Sequence, residues 1–181
     1  MTVPRIGARV DSWFVRHARA FTRSIEMLFG LMWLVDASLK FQPGFVSAFS
    51  DLISTASMNQ PAWLQGWFAF WTMATASNPA FFVYLVAFLE LALALALILG
   101  FMRKTAYAGG IILSLIIWSV PEGFGGPYGP GSTDIGTGII YAVVFLLLLA
   151  LNATYRNNHY TLDSLIEKRL KWWGMLAELN R

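Results

Sequence analysis

The chain has 181 residues, of which 57% are hydrophobic, 15% aromatic and only 13% charged, with a formal net charge of +3. Soluble domains carry about 25% charged residues, so this composition excludes a disordered chain, a coiled coil and an ordinary water-soluble enzyme. With no cysteine and two histidines, His17 and His159, there is no disulfide scaffold, thiolate-held metal or persulfide chemistry, and little material for a histidine metal site.

A mean hydropathy of +0.57 and long uncharged stretches predict an all-α integral membrane protein built as a four-helix bundle. Residues 1–23 form a basic amphipathic segment, residues 24–152 the four-span domain and residues 153–181 an amphipathic tail. A helix needs about 20 residues to cross a bilayer. Ser24–Phe41, Ala80–Phe101, Thr105–Val120 and Ile135–Asn152 are the expected spans. The first follows five arginines, contains Glu26 and Asp36, and lacks a small-residue cleavage site, so no signal peptide is expected.

Within the first span, Glu26 lies one turn after Arg23, and Asp36 and Lys40 share a face four residues apart. Each spacing suits an ion pair. Residues 42–79 are long for a connection and hardly polar. Phe45, Phe49, Leu52, Ile53 and Ala56 form one helical stripe; after Asn59-Gln60-Pro61, Trp63, Trp67, Phe70 and Trp71 form another. Two short interfacial helices on the outer face fit this pattern, with tryptophan at the membrane boundary.

In the second span Glu90 lies roughly 15 Å from the helix end at 1.5 Å per residue. An ionisable residue at that depth is a functional candidate, and a carboxyl there suits proton transfer beside a quinone. The connection Pro121-Glu-Gly-Phe-Gly-Gly-Pro-Tyr-Gly-Pro-Gly-Ser-Thr-Asp134 holds five glycines and three prolines, hence a helix-free turn. Ser132, Thr133 or Asp134 can cap the fourth span, and free N–H groups at that helix start favour an anion. Leu162, Leu165, Ile166, Leu170, Trp173 and Leu176 give the tail from Tyr160 to Asn180 a helical apolar stripe, suited to a membrane surface or a partner subunit.

Orientation follows from the basic residues. Twelve of the thirteen lysines and arginines lie before the first span, between spans two and three, or after the fourth; Lys40 is the exception. Both termini are therefore expected in the cytoplasm. No basic groove interleaved with aromatics points to nucleic acid.

The run from Gly123 to Gly138, with Gln60-Pro-Ala-Trp63, Glu90, Gly100 and Arg103, resembles the DoxX/DoxD family over Arg23 to Asn152, and most narrowly its thiosulfate:quinone oxidoreductase branch. The resemblance implies oxidation of thiosulfate to tetrathionate, electrons passed to membrane quinone, a small DoxA-type second subunit and a prokaryotic plasma membrane. The residues themselves suggest Glu90, Asp36 and Lys40 as catalytic groups and Trp33, Phe88 and Trp118 around a quinone. They also suggest an anion site at Gly125, Gly126, Tyr128, Ser132, Thr133 and Asp134, near Lys40, and no metal in this chain. The competing expectations are a non-catalytic anchor or scaffold of a respiratory or redox complex, and a transporter coupled through Glu90.

Overall fold

The computed structural model describes residues 6–126, 128, 134–154 and 160–179, with side chains from residue 13 onward. Among these residues every regular element is helical. The elements are α1 (Ile6–Leu39), α2 (Phe45–Ser57), α3 (Gln65–Ala76), α4 (Pro79–Leu99), α5 (Arg103–Ser119), α6 (Thr137–Thr154), and two short tail helices, α7 (Leu162–Ile166) and α8 (Gly174–Ala177).

Among the described residues two helices, α4 and α6, are by length and composition apolar enough to cross a membrane. Local chemistry explains the ends of α4. Pro79 stands at its first position, where no N–H is needed, and the Asn78 side chain accepts the N–H of Phe81 at 3.1 Å. At the other end Gly100 turns left-handed at φ 63°, and Phe101 N–H returns to Ala96 O at 2.8 Å.

The four long helices pack as two intimate pairs, α1 against α4 and α5 against α6. Small residues permit the approach. A Cβ at Gly30 of α1 would lie 2.8 Å from Ile98 of α4, and one at Gly110 of α5 would lie 2.4 Å from the Phe145 ring of α6. Between the pairs, Phe29, Trp33, Leu97, Tyr107, Phe145 and Leu148 form the core. By contrast α4 and α5, although consecutive, touch little and leave a groove between them. Leu28, Leu31 and Val35 on α1, Leu85 and Leu89 on α4, Ile112 on α5 and Val143 and Leu146 on α6 all point outward and are exposed. An apolar surface of that extent marks contact with lipid or protein.

Helices α2 and α3 pack on one another and on the start of α4, as the aromatic stripes of residues 45–71 suggest. The Asn59-Gln60-Pro61 break ties them to the glycine-rich turn. Gln60 Nε2 donates to Ala56 O at 2.9 Å and to Gly123 O at 3.0 Å, and Trp67 Nε1 donates to Ser119 O at 3.1 Å.

At the other end α1 runs without interruption from Ile6 past residue 23 into the first span. The tail is not the single amphipathic helix expected: it is broken into α7, a 3-10 turn at Lys171–Trp173 and α8. The break follows from what the tail must reach. Asp163, fully buried, accepts the N–H groups of Met102 at 2.7 Å and Arg103 at 3.1 Å, and the Trp173 indole N–H at 2.8 Å. It also pairs with Arg103 Nε at 3.2 Å. A straight helix would carry Trp173 away from Asp163, so the chain bends to close the α5 N-terminus with its own carboxylate. Beside it, Arg23 closes the α4 C-terminus. Its guanidinium donates to Leu97 O at 2.7 Å and Tyr160 O at 3.1 Å, and also to Ile98 O.

Candidate functional site

The expected Arg23–Glu26 pair forms at 2.8 Å, and Tyr107 donates to the same carboxylate. That pair belongs to the helix-end cluster just described. The expected Asp36–Lys40 pair does not form. Lys40 lies just past the end of α1 and crosses to α4, bringing Nζ within 2.7 Å of Glu90 Oε2. Its bond back toward Asp36 is a long one, 3.5 Å, to the backbone oxygen. The close packing of α1 on α4 brings Glu90 within reach, and Lys40, beyond the last residue of α1, is free to turn across to it. Glu90 is thus not the uncompensated acid its position in the sequence suggests.

Glu90 nonetheless borders open space. A cavity of about 370 Å³ is lined by Trp33, Asp36, Lys40, Glu90, Ser114 and Glu122, with Ile117, Thr137, Gly138 and Tyr141 completing the wall. It gathers side chains from α1, α4, α5, α6 and the glycine-rich turn. Trp33 Nε1 and Ser114 Oγ are fully buried and have no hydrogen-bond partner among the described residues; Glu90 Oε2 has its ion pair but no well-directed hydrogen bond. A buried donor left unpaired costs about 1–3 kcal/mol. Two such groups on one wall indicate that something polar belongs between them. An indole N–H, a hydroxyl and an ammonium lining one cavity suit a ligand that carries hydrogen-bond-accepting oxygens.

Of the residues expected around a quinone, Trp33 lines this cavity, held by ring contacts with Tyr141 at 5.5 Å and Phe145 at 5.7 Å. Trp118 stands behind the wall, donating to Ile135 O at 2.7 Å and packing against the position of Gly136. Phe88 is elsewhere. It is 59% exposed on the outer side of α4, edge-on to Phe41, because two residues along a helix rotate a side chain away from the face that Glu90 occupies.

The expected anion site changes more. Lys40 is turned inward onto Glu90 and offers no free cation to the loop. The start of α6 already holds a carboxylate, for Gly138 N–H donates to Glu122 Oε2 at 2.9 Å. Asp134 makes a local turn, accepting Gly136 N–H at 2.7 Å. Gly125, left-handed at φ 73°, is pressed against the Ile135 carbonyl, Gly126 follows it, and exposed Tyr128 donates to Phe124 O at 2.6 Å. Ser132 and Thr133 lie outside the described residues.

Ser114, Ile117, Glu122, Thr137, Gly138 and Tyr141 line the cavity without being among the site residues chosen from the sequence. Ser114 had a signal, a lone hydroxyl in the run Ile111–Ile117. Burial pushes the Glu122 carboxyl above the ordinary carboxylate range, while the Gly138 N–H pulls it down. No family model matches the chain, and no curated protein or solved structure matches it.

Proposed function

We propose that the chain is a four-span membrane subunit of the DoxX/DoxD type that binds the headgroup of membrane quinone, within a complex resembling thiosulfate:quinone oxidoreductase. The observation that carries this reading is the pair of buried, partnerless groups, Trp33 Nε1 and Ser114 Oγ, lining one cavity with the Lys40–Glu90 ion pair. The outward apolar faces of α1, α4, α5 and α6 support the four spans. Within the first span Arg23 and Glu26 are buried, and Lys40, just past the end of α1, turns onto Glu90, so these charges are kept off its apolar outer face. Helix α5, about 25 Å long at 1.5 Å per residue, is shorter than the hydrocarbon core and relies on its flanks. The distribution of lysine and arginine supports cytoplasmic termini.

A bound quinone supplies a two-electron, two-proton acceptor. The chain's own residues would supply the surroundings: Trp33 and Ser114 would donate to its oxygens, and the Lys40–Glu90 pair would hold a proton beside them. Three carboxyls, Asp36, Glu90 and Glu122, face this space against one ammonium. A doubly charged thiosulfate is disfavoured there, so its oxidation belongs outside this cavity, at the second, DoxA-like subunit or the surface facing it.

The test is quinone titration of the purified chain in detergent. Trp33→Phe and Ser114→Ala each weaken binding about fivefold, one neutral hydrogen bond or ~1 kcal/mol. Thiosulfate-dependent quinone reduction by membranes falls in Glu90→Gln and Lys40→Ala. Unchanged affinity in the first pair, or unchanged rates in the second at normal protein levels, overturns the corresponding half of the proposal. A chain that binds no quinone is better described as an anchor.

A further inference from the structure

The polar cavity has an apolar neighbour. At Lys40, Ile117 and Glu122 it adjoins a second space of about 300 Å³ beneath α2 and α3, whose remaining lining is nearly all hydrocarbon, including Phe49, Ile53, Val83 and Val86. At Ile116 that space adjoins in turn the groove of about 500 Å³ between α4 and α5. Ala92, Ala96 and Gly109 keep this groove open.

The order of these spaces is chemical as well as spatial. Partnerless polar atoms lie in the first, hydrocarbon walls line the second, and the third lies open on the apolar outer surface of α4 and α5. The change from polar to apolar falls at Lys40 and Glu122, the two charged side chains common to the first two spaces. A ligand filling all three has a small polar head and one long hydrocarbon tail. A headgroup alone would leave the second and third spaces without occupants, and a lipid acyl chain alone would leave Trp33 and Ser114 unpaired.

Resting on the headgroup reading above, we infer that the ligand is a tailed quinone whose isoprenoid chain leaves the polar cavity beneath α2 and α3 and runs out along the α4–α5 groove. This explains why α4 and α5, adjacent in sequence, stay apart while α1–α4 and α5–α6 close up.

The experiment compares two quinones of identical headgroup, one tailless and one with a long isoprenoid tail, on the purified full chain. The plugging variants are Gly109→Phe, where an added side chain begins in open space, and Ala92→Phe, on an exposed position. The wild type binds the tailed compound at least tenfold more tightly. The double variant loses most of that preference and keeps its affinity for the tailless compound. Since both proteins share the same detergent, partitioning of the tail into micelles cancels in the comparison. Equal loss for both compounds, or no effect of the plug on the tailed one, overturns the tail route and leaves the headgroup site standing. Wild-type protein that binds neither compound overturns both.

Discussion

At the scale of single residues, Glu122 combines two jobs that conflict electrostatically. Its carboxylate closes the N-terminus of α6 through Gly138, where a negative charge is favoured, yet half-burial beside the cavity disfavours that same charge. Burial dominates, so the folded protein holds this proton more tightly than the unfolded chain does. Such a group favours folding at pH below the ordinary carboxylate range, and the contribution is lost as pH rises through the raised value. Thermal unfolding in detergent, followed upward from about pH 4, therefore shows a decline that Glu122→Gln flattens, the amide oxygen still accepting from Gly138. An unaltered pH profile in the variant removes Glu122 as its source.

For the elements, the helices themselves were legible in the chain because each rests on neighbouring residues: the Asn78-Pro79 start, the Gly100 stop, and the aromatic stripes of α2 and α3. The tail was not, since its apolar spacing is compatible with a helix. Only the buried Asp163, reaching Met102, Arg103 and Trp173, forces it to bend. Packing of α5 on α6 yields a paired prediction at adjacent glycines. A methyl at Gly109 enters open space, so Gly109→Ala stabilises by up to about 1 kcal/mol through helix propensity. A methyl at Gly110 meets the buried Phe145 ring at 2.4 Å, so Gly110→Ala destabilises by about 1–3 kcal/mol. Melting temperatures of the two variants move in opposite directions; a shift of the same sign in both refutes the proposed α5–α6 contact.

For the molecule as a whole, the question is which end faces which side of a membrane. The native sequence has no cysteine, so single introduced cysteines report topology without background. The four-span proposal has Ser47→Cys and Ser77→Cys labelled by an impermeant maleimide on intact cells, and Lys168→Cys labelled only after permeabilisation. The reverse pattern, or labelling of all three from outside, defeats it.

Composition and charge placement point to a membrane, and helix periodicity supplies most of the elements, because both are properties of contiguous residues and need no partner. They also single out Glu90, Asp36, Lys40 and Trp33, since a charge or an indole amid apolar residues is visible without a fold. Which of these groups meet is a different kind of information. Lys40 meets Glu90 instead of Asp36 because α1 packs closely on α4, and Glu122 meets the α6 N-terminus although Gly138 lies sixteen residues further along the chain. The cavity, with Ser114 on its wall, exists only where five separate segments converge, and distances between segments are set by packing that no single stretch of chain contains.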